Sequence, residues 1–216
     1  MPDKSEKVKK TLSGIADLYT SNLEDHGVDS KSVGWKTEES QILRFDKQVQ
    51  VIDMTDGQKS ISINDLGVGY GAFFSYLDNL EGVQISQFYG YDISPEMLQK
   101  ASELISDPRL KLIENERITE QADYSFQSGI FNVKLEMEDD DWTKYVEDVL
   151  LNMAEMSRKG FAFNVLTKYV DWKQEDLFYA DPLYFFDFCK TKISRYVSLI
   201  HDYPLYEWTM LVKMEE

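Results

Sequence analysis

The chain is short of several things that particular chemistries require. A single cysteine, Cys189, leaves no internal disulfide to form, and its helical, aromatic surroundings mark it as a buried small apolar residue. Only two histidines are present, His26 and His201. No apolar run approaches the ~20 residues that cross a bilayer, and Met1-Pro2-Asp3-Lys4 has no signal-peptide core. The reading is a soluble, cytoplasmic protein. Bases are scarce too: 23 Lys and Arg against 39 Asp and Glu give a formal net charge of -16. Such a surface repels phosphate backbones, and the one dense basic cluster, Lys4, Lys7, Lys9 and Lys10, reads as a solvated helix face. Neither nucleic acid nor a membrane is expected as a partner.

What the chain does have is a stretch around which the rest is organised, residues 61–72, Ile-Ser-Ile-Asn-Asp-Leu-Gly-Val-Gly-Tyr-Gly-Ala. Its first half alternates apolar and polar residues like a half-buried strand, and its second half places Gly67, Gly69 and Gly71 where a helix should start. Glycine admits a close approach of the backbone to a ligand, and the free N–H groups of a helix start favour a polar or anionic group. Asp92 closes the next apolar run, Phe88-Tyr89-Gly90-Tyr91, where a carboxylate can accept from both hydroxyls of a ribose. Together these describe a nucleoside-cofactor site. The glycines alone leave the cofactor open, since Gly67, Gly69, Ala72 and Asp92 also satisfy the dinucleotide fingerprint G-x-G-x-x-G/A of nicotinamide enzymes.

Before this stretch lie two helical patterns. One runs from Ser5 to about His26 with Val8, Leu12, Ile15, Leu18 or Tyr19, and Leu23 on a stripe; the other runs from Glu38 to Ile52 with Thr37 as cap and Ile42, Phe45, Val49 and Ile52 on one side. A turn at Thr55-Asp56-Gly57 follows. Residues 1–60 thus form a helical cap, and residues 61–216 the cofactor domain. Beyond Asp92, Ser94-Pro95 starts a helix, 110–113 and 124–131 are strands, and the helix after Glu138-Asp139-Asp140-Asp141 is expected to end with Arg158, Lys159 and Gly160. A strand over 160–166 and a helix from Asp181-Pro182 follow. The last two strand-like runs, 195–200 and 206–214, are joined by a short turn with no helix, which makes them antiparallel.

Asp65-Leu66-Gly67-Val68-Gly69-Tyr70-Gly71 resembles the first motif of class I S-adenosylmethionine-dependent methyltransferases, and 123–132 is similar to that family's fourth-strand motif. In that family the acid lies near the ammonium of the cofactor's methionine; a carboxylate there suits a cation and would repel a pyrophosphate. The resemblance covers about 61–214. It implies a Rossmann-like α/β fold: a mostly parallel seven-stranded sheet in the order three-two-one-four-five-seven-six, one antiparallel strand, and helices on both faces. It also implies S-adenosylmethionine as cofactor, S-adenosylhomocysteine as product, and a cofactor site of Asp65, Gly67, Gly69, Gly71, Asp92 and Ile93. Glu116 and Arg117 occupy the place near the adenine, and Ser128 the end of the fourth strand.

The acceptor is less legible. The chain has no Asn-Pro-Pro-Tyr sequence after the fourth strand and no cysteine near a second- or fourth-strand end, which argues against the nucleobase amino and cytosine carbon chemistries. The contiguous carboxylates of Glu138-Asp139-Asp140-Asp141 splay apart, so no metal is expected. Transfer to oxygen or nitrogen of a small-molecule or glycan-linked acceptor remains, with Asn132 and His201 as candidates for catalysis and Tyr19, Trp35, Arg44, Asn132 and Tyr169 for acceptor binding. A nicotinamide-dependent oxidoreductase and a non-catalytic adenosylmethionine-binding protein are the alternatives.

Overall fold

The computed structural model describes residues 4–54 and 59–214; the turn expected at Thr55-Asp56-Gly57 lies outside them. Helix α1 (Lys4–His26) and helix α2 (Glu38–Gln48) precede the sheet, separated by a 3-10 turn, Ser30–Val33, and followed by another, Val49–Val51. Strand β1 (Lys59–Leu66) leads into α3 (Ala72–Asp78), β2 (Val83–Asp92) into α4 (Pro95–Leu104), and β3 (Leu110–Glu114) into β4 (Ala122–Ser128). Then come α5 (Asp139–Met156), β5 (Ser157–Leu166), α6 (Pro182–Lys192), β6 (Tyr196–Ile200) and β7 (Glu207–Lys213).

The seven strands lie in the order β3-β2-β1-β4-β5-β7-β6, with β7 antiparallel to both neighbours and the remaining pairs parallel. This is the order and the hairpin ending expected from the sequence. The sheet is buried on both faces, as parallel sheets are. One core cluster gathers Leu12 and Ile15 of α1 with Trp142, Val149 and Met153 of α5, Phe185 of α6, and Phe163 and Trp208 of the sheet. The other gathers Phe45 of α2 and Phe73, Phe74 and Leu77 of α3 with Ile61, Phe88 and Phe126. Trp142 satisfies its buried indole N–H on the Phe131 carbonyl at 2.9 Å, fixing the start of α5 against the turn after β4.

Two local expectations are corrected. Helix α5 stops at Met156, and Arg158 and Lys159 stand on β5, where their cations lie 3.6 Å and 3.2 Å from Asp123 of β4. Strand β4 ends at Ser128, because Gly129 takes a left-handed backbone (φ 86°) that breaks the ladder before Phe131. Of the two positions left open on α1, Tyr19 continues the inward stripe and Leu18 is exposed.

Helix α2 differs most from its pattern. Ile42 is 39% exposed, while Gln41, Arg44 and Gln48 are buried beside Phe45. The face that docks on the sheet is therefore largely polar, and Thr37 caps it by accepting from the Ser40 N–H at 3.2 Å. Gln48 and Arg44 find partners at the carboxyl ends of β4 and β5 and at the start of the reversed strand β7, and Gln41 finds one in Tyr70, which apolar periodicity cannot reveal.

Candidate functional site

The site forms where β1 and β2 end side by side. The N–H groups of Gly67 and Val68 both donate to the Tyr91 carbonyl at 2.8 Å, turning the chain sharply off the sheet. Gly67 and Gly71 have φ of 84° and 88°, a region that strains any residue with a Cβ. Space is also short there. A Cβ on Gly67 would lie 2.2 Å from Cγ2 of Ile130, and one on Gly71 would lie 2.4 Å from Cδ1 of Ile105. The room that glycine leaves is thus taken by protein side chains as well as offered to a ligand.

Asp92 is held at the loop's mouth. Its Oδ2 accepts from the Gly69 N–H and its Oδ1 from the Ser94 N–H, each at 2.9 Å. One acceptor direction on each oxygen remains, enough for two hydroxyls. Ser94 also caps α4 by accepting from the Met97 N–H at 3.2 Å, so the carboxylate and the helix start are built as one unit. Burial raises the Asp92 carboxyl above its usual range, against the main-chain N–H donors of Ser94, Gly69 and Ile93.

Around these groups is a narrow cavity of about 80 Å³ that opens to solvent. Asp92, Ile93, Met97, Asn115 and Glu116 form one side, and Leu12, Ile15 and Tyr19 of α1 cover it. The Tyr19 phenol is pushed up to about 12, first by burial and then by Asp92. Helix α1 is fastened over the cavity by Thr20, whose hydroxyl lies 3.0 Å from Ser94 Oγ and donates to Glu96 at 3.0 Å.

A smaller space of about 40 Å³ adjoins it and shares Val33, Gly67 and Ser128 as walls. Asp65, Trp35, Gln41 and Tyr70 line this second part. Among the described residues the Asp65 carboxyl has neither a hydrogen-bond nor an ion-pair partner, although only 4% of the residue is exposed. Burial, and next the charge of Asp92, raise it to about 8. Ser128 Oγ is also buried without a partner. Buried polar groups are seldom left so, and the two together mark where a ligand should supply a cation and a hydrogen bond.

Of the residues expected from the sequence, the structure brings together Asp65, Gly67, Gly69, Asp92, Ile93, Glu116 and Ser128, with Tyr19 and Trp35 from the cap. Gly71 stands one step behind as the N-cap of α3. Tyr19 belongs to the Asp92 end, not to a separate acceptor pocket. Arg117 is exposed, in an outer groove with Lys144 and Asp148. Arg44 is spent in a buried ion pair with Glu207. Asn132 stands apart from the cavity; its Oδ1 accepts from the Leu166 N–H at 3.0 Å and its carbonyl from the Phe178 N–H at 2.8 Å. His201 and Tyr169 pair with each other in the open, ring centres 5.9 Å apart. Asp139 and Asp141 open α5, 3.4 Å from Lys134 and 3.7 Å from Lys7.

Sequence reading missed Gln41, Tyr70, Ile130 and Met97. Tyr70, inside the glycine loop, was the one with a positional signal; its hydroxyl donates to Gln41 Oε1 at 3.2 Å. The others are contributed by packing alone.

A parallel sheet closed by one reversed strand, with a glycine turn and a ribose-type carboxylate at adjacent strand ends, defines a nucleoside-cofactor protein of the Rossmann-like class. The protein-family description "Methyltransferase domain" matches residues 64–163. The chain is 46% identical over 155 residues to the Mycobacterium tuberculosis protein named "Putative methyltransferase Rv1506c", covering 70% of this chain and 92% of that one. In fold it is similar to DhpI, solved as a complex with SAH, at a TM-score of 0.64 and 14% identity over 95% of this chain and 98% of that one. Magnesium protoporphyrin IX methyltransferase (ChlM) from Synechocystis PCC 6803, solved with bound SAH, is similar at 0.64 and 11% identity, over 99% of this chain and 100% of that one. The chain belongs to the class I S-adenosylmethionine-dependent methyltransferases.

Proposed function

We propose that the chain moves a methyl group from S-adenosylmethionine to oxygen or nitrogen of a small-molecule or glycan-linked acceptor, with the cofactor spanning both parts of the cavity. The observation that carries the cofactor's placement is the Asp65 carboxyl, buried without a partner beside the glycine turn. A pyrophosphate in this place would hold the buried carboxyl in its protonated form, whereas an ammonium draws off the proton and gives the carboxylate an ion-pair partner.

The bound cofactor supplies an electrophilic methyl on a sulfonium, with a neutral leaving group. Asp65 holds the ammonium, and Asp92 accepts from the ribose hydroxyls with the lone pairs its two N–H donors leave free. Ile93 and Met97 give the adenine an apolar bed, and Glu116 stands at its edge. Ser128, at the junction of the two parts, offers a hydroxyl near the reacting end. Helices α1 and α2 and the turn between them act as a lid, with Tyr19 and α1 excluding water over the adenosine and Trp35 and Gln41 over the methionine. The chain's contribution to rate is then positioning of the two reactants.

Two features support the acceptor class. The net charge of -16 disfavours a polyanion. Tyr169 and Trp172, 55% and 67% exposed after β5, offer flat faces at the sheet's carboxyl edge that suit a ring or a sugar.

The test is thermal unfolding with adenosylmethionine, adenosylhomocysteine and NADH added separately. A ligand at a hundred times its dissociation constant adds ~2.7 kcal/mol, a rise of roughly 5 to 10 °C for a chain of this size. The expected result is a rise with both adenosyl ligands, lost in Asp92→Ala. A rise with NADH alone would overturn the reading.

A further inference from the structure

Behind the cavity wall lies a buried polar network that the cofactor chemistry does not use. Asn164, wholly buried on β5, accepts at Oδ1 from the Gly129 N–H and from Gln48 Nε2, each at 3.1 Å, and donates from Nδ2 to Glu207 Oε2 at 2.7 Å. Glu207 receives the Arg44 fork at 2.8 Å and 2.6 Å, and the Arg44 guanidinium lies 3.7 Å over the Trp35 ring. The circuit closes because Trp35 packs on Gly129, where a Cβ would come within 2.3 Å of the indole. Gln127 stiffens it, donating to the Asn164 carbonyl at 3.0 Å and accepting from the Ile130 N–H at 3.2 Å.

A buried ion pair is a weak source of stability, since apolar groups of the same shape often do as well. What this one fixes is a position. The turn Ser128-Gly129-Ile130 lines the cavity with all three residues, and Ile130 reaches across to Gly67. Its central N–H is held by Asn164 and its outer face by Trp35, so strand β5 and the cap grip the same turn.

We infer that Asn164 is a positioning residue for the cofactor site, setting the Ser128-Gly129-Ile130 turn through the Gly129 N–H and coupling it to the cap through Glu207 and Arg44. The inference rests on the cofactor reading above. An amide meets both needs at any pH, since one atom accepts from two donors while the other donates to a carboxylate. The titratable groups facing it are Glu207 from β7, Arg44 from α2, and the Tyr203 phenol beyond Glu207, raised chiefly by burial.

The experiment is adenosylhomocysteine affinity by calorimetry at pH 6 and pH 8.5 for the native chain, N164A and N164D, below each variant's measured thermal midpoint. N164A strands a buried N–H and should weaken affinity about tenfold or more at both values. N164D keeps the acceptor and, while protonated, the donor; beside Glu207 and out of water its carboxyl is raised. Its affinity should match the native chain within about twofold at pH 6 and fall about tenfold behind at pH 8.5. A structural role alone would shift the midpoints and leave that ratio flat with pH. A flat N164D ratio, or a folded N164A with native affinity, overturns the inference. Should N164A not fold, the N164D ratio decides. Failure of the native chain to bind adenosylhomocysteine at all would instead refute the cofactor reading.

Discussion

Asp65 should release its proton when the cofactor's ammonium arrives. With its carboxyl raised to about 8, the empty protein at pH 7 holds that proton in about nine molecules of ten. An ammonium in contact stabilises the ionised form and drives the group back toward the ordinary carboxylate range, so binding at pH 7 should expel about 0.9 proton from this residue. Affinity rises with pH as the ionised fraction rises: from pH 6 to pH 7 the gain is about ninefold, or ~1.3 kcal/mol, and the ligand's amine remains protonated over that interval. The sign for stability is the opposite. Unfolded, the group ionises in the usual range while the folded chain keeps its proton, so this residue makes the empty protein less stable as pH climbs from about 4 to about 8. Calorimetric titration with adenosylhomocysteine at pH 7, in phosphate and in Tris, reads the proton count from the difference in apparent enthalpy. Asp65→Asn is the control; the native-minus-variant difference should lie between about one half and one proton, and the variant should bind more weakly with a shallower pH slope. A native heat independent of buffer would refute the protonated state of the empty site, and an Asp65→Asn variant with native affinity and slope would refute the assignment of Asp65 to the ammonium.

Other outcomes are expected from the same geometry. Arg44→Ala leaves Glu207 charged, buried and unpaired, and should cost about 3–5 kcal/mol in urea unfolding, whereas Arg44→Met with Glu207→Met should recover most of it; a single-variant loss below ~1 kcal/mol would contradict the burial of the pair. Gly67→Ala meets both a left-handed backbone and Ile130, and should lose about 1–3 kcal/mol together with most adenosylhomocysteine binding. Adding Ile130→Ala should return part of the stability by removing the collision, and no recovery would mean the backbone carries the whole effect.

Much of this arrangement is legible without coordinates because it is written in short-range patterns. The glycine turn after β1, Asp92 at the end of β2, the Ser94-Pro95 helix start and the reversed final strand each follow from a few neighbouring residues. What stays hidden depends on residues distant in sequence. Arg44, Gln48, Asn164 and Glu207 look like unrelated polar positions along one helix and two strands, and their common burial appears only when α2 lies across the strand ends. Arg158 and Lys159 sit so close after α5 that a helix end is the natural reading, and only Asp123 across the ladder explains the strand. Ile130 gives no hint that it reaches Gly67, since that contact is made by the turn Gly129 enforces. His201, Tyr169 and Asn132 have residue types and places near strand ends that suit a site, yet none of them lines the cavity.

The fastening of α1 bears on how quickly ligand is exchanged. The helix that covers the Asp92 end of the cavity is fixed to α4 by the Thr20 hydroxyl, which bridges Glu96 and the buried Ser94, and by an apolar stripe of modest width. Hydrogen bonds of this kind are individually weak, each worth about 1 kcal/mol. Lifting this cover would break those two hydrogen bonds and expose Leu12 and Ile15 while leaving the sheet below intact, in the manner of a low-stability segment on a rigid base. Dwell time of the spent cofactor would then be governed by the detachment of one helix, and Thr20→Val would shorten it without altering any group that touches the ligand.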